Sequence, residues 1–310
     1  MMSENTINTK NIQRAVVIGG AGFIGSYVVR ELLAQNYPVL VIDNLSTGSK
    51  ERLPENTPLT ICDIRNYEDL LPLINEGDII FHLAALVSVP LSIENPLLAH
   101  EINIRGTYHV FEVARIKKAY GIVFSSSAAV YGNQEGVVSE STTALPQTPY
   151  GLHKLMGEEL ATLYTNCFLL PTVALRYFNV YGKGHHETGS YAPVIAKFLQ
   201  QKRNNLPITI TGDGLQTRDF VHVEDVARAN VTAIQLLSHS KNYCLNVCTG
   251  ESYTIKKIAE IVGGEIQFIP PRNEIKQSCG DGTKIKEILE WKPEMTLEKG
   301  ILELLTLENV

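Results

Sequence analysis

Tryptophan occurs once in this chain and cysteine five times, at Cys62, Cys167, Cys244, Cys248 and Cys279. An odd, scattered set builds no disulfide framework and reads as reduced thiols. Cys244 and Cys248 lie four apart, off the spacing of a zinc or redox pair. They sit in the run Tyr-Cys-Leu-Asn-Val-Cys, where they read as small buried hydrophobes. Basic residues are outnumbered, 27 Lys+Arg against 33 Asp+Glu for a formal charge of −6, which argues against a nucleic-acid partner. No apolar run approaches the length of a membrane helix, and the polar stretch from Met1 to Arg14 lacks a signal-peptide pattern. The expectation is a soluble, cytoplasmic protein with no membrane partner. Internal repeats and low-complexity tracts are missing too. His185-His186-Glu187 has the residue types of a metal site, but it lies between Gly184 and Gly189 and reads as a polar loop, so no metal is expected. What is present is 310 residues, 44% hydrophobic and 19% charged, enough for one large or two small domains with a substantial core.

Short apolar runs alternate with longer amphipathic ones through the first half. Ala15–Ile18, Val39–Ile42, Leu59–Cys62, Ile79–Leu83, Ile122–Phe124 and Val173–Leu175 are candidate strands, most of them rich in Val and Ile, as parallel strands buried on both faces tend to be. Between them the spacing predicts helices over Gly22–Gln35, Asn66–Ile74, Pro96–Tyr120 and Pro149–Asn166. This order predicts an α/β fold with a doubly wound parallel sheet. After Arg176 the texture changes. Helices are expected near Ala192–Lys202, Val223–Leu237, Ile255–Val262 and Leu297–Leu307, and strands near Ile208–Thr211 and Glu265–Ile269. These make a smaller mixed α/β domain. The division expected is 1–178 and 179–310, with segments near 223–250 returning to the first domain.

The run Ala15-Val16-Val17-Ile18-Gly19-Gly20-Ala21-Gly22-Phe23-Ile24-Gly25 leads a strand through a glycine turn into a helix. Gly19, Gly22 and Gly25 permit a tight turn, close approach to a pyrophosphate and close helix–sheet packing, and the helix N-terminus offers N–H groups to the phosphates. Asp43 ends the next strand, 18 residues beyond Gly25. An acid there accepts hydrogen bonds from ribose hydroxyls and repels a 2′-phosphate, which favours NAD over NADP. Asp63 ends the third strand within reach of an adenine.

A second signal is Ser125-Ser126-Ser127-Ala128-Ala129-Val130-Tyr131-Gly132, where a strand ends at the carboxyl edge of the sheet. Downstream, Tyr150 and Lys154 are four apart and share one helix face. A tyrosine with a pKa of about 10 is a poor base at neutral pH. A nearby ammonium favours the phenolate, which then takes a proton from a sugar hydroxyl while hydride leaves the carbon. A serine hydroxyl beside it holds the same oxygen. His153, one residue around the helix, is expected at the surface.

Together with Asp43-Asn44-Leu45-Ser46-Thr47-Gly48, Asp63-Ile64, Leu83-Ala84-Ala85, Asn103 with Gly106-Thr107, Arg176 to Gly182, and Gly212 through Arg218-Asp219-Phe220-Val221-His222 to Val226, these pieces resemble the extended short-chain dehydrogenases, in particular the NAD-dependent nucleotide-sugar epimerase/dehydratase family. The resemblance runs over nearly the whole chain and implies a Rossmann-type domain followed by a nucleotide-sugar-binding domain. By it, Phe23 and Ile24 meet the pyrophosphate through their backbone. Asp43, Asn44, Leu45, Ser46, Thr47 and Gly48 surround the adenosine, Asp63 and Ile64 the adenine, and Leu83, Ala84 and Ala85 the inner ribose. Asn103 and Phe178 are expected near the cofactor. Ser127, Tyr150 and Lys154 match the catalytic serine, the base and its partner. Asn179 and Arg218 match the residues that hold the nucleotide diphosphate, a role that suits a guanidinium. The family's Arg-x-Gly-Asp becomes Arg272-Asn273-Glu274 here, so Arg272 matches less well. The resemblance also implies a homodimer through the helices predicted at Pro96–Tyr120 and Pro149–Asn166.

Dehydratases and decarboxylases of this family carry an acid after the first serine or threonine of the loop. This chain has Ser127-Ala128-Ala129, which leaves reversible oxidation and reduction, that is, epimerisation. The segment Glu274-Ile275-Lys276-Gln277-Ser278-Cys279-Gly280-Asp281 resembles the family's nucleotide loop and sugar wall, with Glu274 at the nucleotide. Ser278 falls where hexose-restricted epimerases carry a bulky aromatic and acetamido-sugar enzymes a small residue. Leu86-Val87-Ser88-Val89-Pro90 and Ser92 also resemble the acetamido-sugar group. The reading is a UDP-N-acetylglucosamine 4-epimerase that also accepts UDP-glucose. The alternatives are a UDP-glucose-only 4-epimerase, a uronate epimerase or decarboxylase, a dehydratase, or a non-catalytic NAD-binding protein.

Overall fold

The computed structural model describes residues 13–185, 193–239, 241–271 and 275–307. Its centre is a seven-stranded, wholly parallel sheet. The strands are β1 (Ala15–Ile18), β2 (Val39–Asp43), β3 (Leu59–Ile61), β4 (Ile79–His82), β5 (Gly121–Ser127), β6 (Thr172–Tyr177) and β10 (Asn242–Val247). Their order is β10-β6-β5-β4-β1-β2-β3. The order reverses between β1 and β4, and a doubly wound sheet opens its binding crevice at that point, beyond the carboxyl ends of the strands.

Both faces of the sheet are covered, which is why its strands read as continuous apolar runs. Val17 and Phe81 face one buried layer, together with Val28, Leu32, Val226 and Trp291. Val16, Ile18 and Ile80 face the other, together with Val110, Phe111 and Tyr164. The one tryptophan fastens the C-terminal segment to the first layer, its indole N–H donating to the Asp225 carbonyl at 3.1 Å.

The second region holds β7 (Asn179–Tyr181), β9 (Thr217–His222) and β11 (Ser252–Thr254) in one small sheet, and β8 (Ile208–Thr211) and β12 (Ile266–Ile269) in another. Their core is built around Tyr181, Phe198, Ile210, Ile258 and Ile301. β10 lies later in the chain than β7 to β9, yet it pairs with β6 from Asn242 against Thr172 to Val247 against Tyr177.

The expected α/β fold is therefore present, with differences in detail. The helix expected over Pro96–Tyr120 is three pieces: Pro96–His100, a π-helical stretch Glu101–Gly106, and Thr107–Ile116. The π stretch turns the buried Asn103 inward, as such irregularities often do at functional sites. Asn66–Ile74 is a single α turn, Tyr67–Leu70, followed by a 3-10 turn that contains Pro72. The helix from Val223 ends at Thr232 and tightens into a 3-10 turn. His153 is not at the surface. It is buried, because the Pro96–His100 segment folds over it and brings His100 edge-on to its ring at 5.9 Å. Cys248 is buried and Cys244 half-buried. No helix among the described residues is long and apolar enough to cross a membrane.

One polar network sits inside the packed layers. Arg176 donates from Nε and from its terminal nitrogen to the two oxygens of Glu158 at 2.9 and 2.7 Å, and from its other nitrogen to the Tyr131 hydroxyl at 2.9 Å. Tyr131 donates in turn to Asn246 at 2.6 Å. Ser126 also donates to Glu158. Removing one member of a buried ion pair strands the other charge, at a cost of about 3–5 kcal/mol. Arg176→Met alone should lower the unfolding free energy by roughly that amount in urea titration, and Arg176→Met combined with Glu158→Gln should recover most of the loss. Equal stability of the single and double variants would contradict this account.

Candidate active site

The glycine turn after β1 is shaped by contact. Gly19 has a φ of +84°, and a Cβ on it would lie 2.5 Å from the Ala84 nitrogen. A Cβ on Gly25 would lie 2.2 Å from the Gly19 carbonyl oxygen. A side chain at Gly19 would drive the turn into the Leu83–Ala84 backbone, and one at Gly25 would push the Phe23–Ala34 helix off the turn. That helix starts at Gly22 with no side-chain cap and no acid in its first turn. Its free N–H groups and positive dipole end therefore face the crevice, which fits a dinucleotide pyrophosphate.

The polar residues around this turn hold backbone. Asp43 is buried and accepts from the Ala21 N–H at 2.9 Å and the Leu45 N–H at 2.8 Å. Asn44 donates to Asp63 at 2.8 Å and accepts from the Ser46 N–H at 3.0 Å. Asp63 is also bidentate to Arg65, whose guanidinium holds its carboxyl well below the usual range. Asn103 bonds both the N–H and the carbonyl of Leu86, at 2.7 and 2.9 Å, and so fixes the turn that follows Leu83, Ala84 and Ala85. Ile64 is buried beneath Gly106, Gly48 packs on Ala21, and Thr47 is exposed. The Phe23 ring carries His185 stacked on it at 4.4 Å. His186 and Glu187 lie outside the described residues.

Beside this crevice, β5 ends in the serine cluster and the Pro149–Phe168 helix crosses it. Thr148 caps that helix, its hydroxyl accepting from the Gly151 N–H at 3.1 Å, with Pro149 at the first helical position. Gly157 lets the helix settle on Phe124, since a Cβ there would lie 2.4 Å from the ring. Lys154 is thereby sunk to 4% exposure and donates to the Ser125 carbonyl at 2.6 Å. Its ammonium lies 5.1 Å from the Phe124 ring centre and 5.8 Å from that of Tyr150. Burial pulls Lys154 down to about 8, opposed by Glu158 one turn on. Burial also pushes the Tyr150 phenol up, opposed by its hydrogen bond with Ser127. Nearby, the buried His82 bonds Thr107 at 2.9 Å, and burial, then the Lys154 charge, lowers it to about 3.

Ser127 and Tyr150 open onto a cavity of about 310 Å³, with Lys154 buried behind them. Ser127, Tyr150, Phe178, Asn179, Arg218 and Ser278 line it, joined by Val89, Tyr131, Tyr177, Gln277 and Cys279. Among the described residues, Arg218 is the one charged side chain in its wall. Ser88 is not in the wall. Its hydroxyl accepts from the Leu91 N–H at 3.2 Å and caps the short helix that presents Val89 instead. Arg272 and Glu274 lie outside the described residues. For three contributors the sequence names no role of the kind the structure shows. Ser92 accepts from the Tyr150 N–H at 3.3 Å, Glu158 sits behind Lys154, and Asp219 bonds the turns behind Arg218. Ser92 and Asp219 fall in motif stretches, and Glu158 shows only the i+4 spacing from Lys154.

A hydroxyl–phenol pair over a buried ammonium can take a proton from an alcohol and give it back. A family model, described as the NAD dependent epimerase/dehydratase family, matches residues 15–248. A putative UDP-glucose 4-epimerase from Methanocaldococcus jannaschii is 39% identical over 297 residues, covering 92% of this chain and 95% of that protein. The solved UDP-N-acetylglucosamine 4-epimerase of Methanobrevibacter ruminantium, in complex with UDP-N-acetylmuramic acid, superposes with a TM-score of 0.88 at 33% identity, over 96% of this chain and 99% of that one. The UDP-glucose 4-epimerase of Thermotoga maritima, solved with UDP-glucose, gives 0.87 at 33% identity, over 93% and 96%.

The lowered pKa of Lys154 has a thermodynamic consequence. Between about 8 and its ordinary 10.5, the unfolded chain binds a proton that the folded chain has released. Lys154 therefore makes stability rise as pH is raised through that window, by up to roughly 3 kcal/mol. In urea titrations of cofactor-free protein at pH 8 and pH 10, Lys154→Met should show a smaller gain than the wild type. Identical pH slopes would refute a buried, titrating ammonium.

Proposed function

The chain belongs to the NAD-dependent epimerase/dehydratase family, and we propose that within it the protein is a UDP-sugar 4-epimerase. It interconverts UDP-N-acetylglucosamine with UDP-N-acetylgalactosamine, and UDP-glucose with UDP-galactose. The observation that carries this reading is the meeting of Ser127 and Tyr150, with the buried Lys154 ammonium behind them, at one cavity whose wall carries a single described charge, Arg218.

NAD, when bound against the Gly19–Gly25 turn, supplies the site with a resident hydride acceptor and donor. Tyr150 removes the proton of the sugar 4-hydroxyl and later restores it, with Ser127 hydrogen-bonded to the same oxygen. The Lys154 ammonium favours the phenolate that this requires. Arg218 and Asn179 hold the diphosphate while the 4-keto sugar turns over to present its other face. Firm contacts at the nucleotide and loose ones at the sugar suit this reaction, because binding energy is then taken from the part that does not react.

The rest of the wall favours a neutral sugar. A uronate would leave its carboxylate without a described cation other than the one assigned to the diphosphate. No acid follows Ser127 to assist elimination. The small side chain of Ser278 leaves room for an N-acetyl group. We also assign a homodimer to the helices Pro96–His100 and Pro149–Phe168, which leave Leu97, Leu152, Met156, Leu163 and Phe168 exposed. Sedimentation equilibrium should find a dimer that Leu163→Glu breaks; a monomeric wild type would rule it out.

Product chromatography without added cofactor tests the chemistry. Wild type should invert UDP-N-acetylglucosamine and UDP-glucose and leave UDP-glucuronate unchanged. Tyr150→Phe should lose about 10²–10⁴-fold in rate on both substrates. Ser278→Tyr should lose the N-acetyl substrate and keep the hexose. Carbon dioxide release or accumulation of a 4-keto product would replace the epimerase reading, and N-acetyl turnover surviving in Ser278→Tyr would remove the specificity assignment.

A further inference from the structure

Asp219 follows Arg218 in β9 but points away from the cavity, and it is fully buried. Its carboxylate gathers four donors. One oxygen accepts from the Thr249 N–H at 2.9 Å and the Thr249 hydroxyl at 2.7 Å. The other accepts from the Gly250 N–H at 3.0 Å and the Gly280 N–H at 3.2 Å. Its backbone carbonyl accepts from the Asn179 amide at 2.8 Å. One residue thus touches β7 through Asn179, the turn that follows β10, and the segment that ends the sugar wall.

That segment has two attachments to β9. Thr217 pairs with it through its own N–H to the Lys276 carbonyl at 2.9 Å and through its carbonyl to the Ser278 N–H at 3.1 Å. Asp219 takes the N–H of Gly280 two residues further on. Ser278 and Cys279, both in the cavity wall, are stretched between these anchors. Gly280 is wedged against Phe178 and Cys248, since a Cβ on it would lie 2.6 Å from the Phe178 ring and 2.7 Å from the Cys248 sulfur. The wall is therefore positioned by hydrogen bonds to Thr217 at Ser278, from the Val138 N–H to the Cys279 carbonyl at 3.0 Å, and to Asp219 at Gly280.

We propose that Asp219 is a positioning residue for the substrate, its carboxylate fixing the Ser278–Cys279 wall at a set distance from Arg218 and Asn179. This rests on the reading that the cavity takes a UDP-sugar with its diphosphate on Arg218 and Asn179. Asp219 touches neither substrate nor cofactor. Its negative charge strengthens four bonds to groups on two segments, the 249–250 turn and Gly280, and a neutral amide cannot reproduce them. In Asp219→Asn, whichever way the amide turns, its NH₂ faces at least one backbone N–H that needs an acceptor.

The test uses the NAD-loaded enzyme, titrated with UDP by calorimetry and assayed on UDP-N-acetylglucosamine, with bound NAD measured separately. Asp219→Asn should weaken UDP by about tenfold or more and raise KM in parallel, while kcat stays within about threefold and bound NAD is unchanged. Thr249→Val, which removes one donor and keeps the three backbone ones, should weaken UDP by about two- to fivefold. That variant decides the matter if Asp219→Asn does not fold. Wild-type affinity for UDP in the variants overturns the proposal, and so does a loss of kcat and NAD in step with UDP, which marks general damage. A wild type that binds no UDP overturns the reading of the cavity, an outcome separate from variants that match a UDP-binding wild type.

Discussion

Lys154 carries an ammonium group at 4% exposure, where an isolated ion would lose several kcal/mol of hydration. The surrounding structure is arranged to make that position tenable. The Ser125 carbonyl accepts from the ammonium at 2.6 Å, and the rings of Phe124 and Tyr150 offer their faces to it. His82 is kept neutral, so it adds no second positive charge. Glu158 supplies a counter-charge one helical turn on, and Arg176 holds that carboxylate by two bonds. Without Arg176 the glutamate would face the lysine alone and draw it toward a closed ion pair, leaving less of its field for Tyr150. The buried network of Arg176, Glu158, Tyr131 and Asn246 thus belongs to the same construction as the serine, tyrosine and lysine in front of it.

The second construction holds the other end of the cavity. β9 lies between β7 and β11, so Asn179, Arg218 and the Ser278 segment share one small sheet and its extension. The large sheet carries Ser127 and, through the helix packed on it, Tyr150 and Lys154. An epimerase in the proposed cycle has to keep the nucleotide still while the sugar rotates. A small sheet at the proposed diphosphate position and a wall of Ser, Cys, Gln and Val at the proposed sugar position would answer those two needs with different materials.

How much of this could be read from the sequence depended on whether a residue's partner was local. The strands β1 to β6 announced themselves as Val/Ile runs, and the glycine turn, the serine cluster and the Tyr150–Lys154 pair are all short-range patterns. β10 was harder. Its run contains Asn246, a polar residue with no place in a plain buried-strand pattern, and only the structure shows that Asn246 is bonded by Tyr131 from 115 residues away. His153 was assigned to the surface from its angle on one helix. The segment that covers it comes from Pro96–His100, and a helical wheel carries no record of neighbours. The helix expected over Pro96–Tyr120 reads as continuous because a π stretch leaves the apolar spacing almost intact while shifting its phase by one residue. Asp219 stands in a motif stretch, but nothing in the sequence around it names Thr249, Gly250 or Gly280 as its partners.

The polar residues of the motifs divide in a way that their one-letter patterns do not reveal. Ser127, Tyr150, Asn179 and Arg218 present functional groups to the cavity. Asp43, Asn103, Asp219 and Asp225 are buried and direct theirs at backbone N–H groups: Ala21 and Leu45, Leu86, the 249–250 turn with Gly280, and Glu294 with Met295. Turns beside a ligand cannot be tied down by ladder hydrogen bonds, because their backbone has to leave the sheet to reach the ligand. A buried carboxylate or amide supplies the missing acceptors at one point and so freezes a loop that would otherwise be mobile. On this argument a motif residue aimed at backbone is as necessary to the site as one aimed at substrate. The two differ in what their loss does: the first blurs the position of a whole segment, and the second removes one contact from a segment still in place.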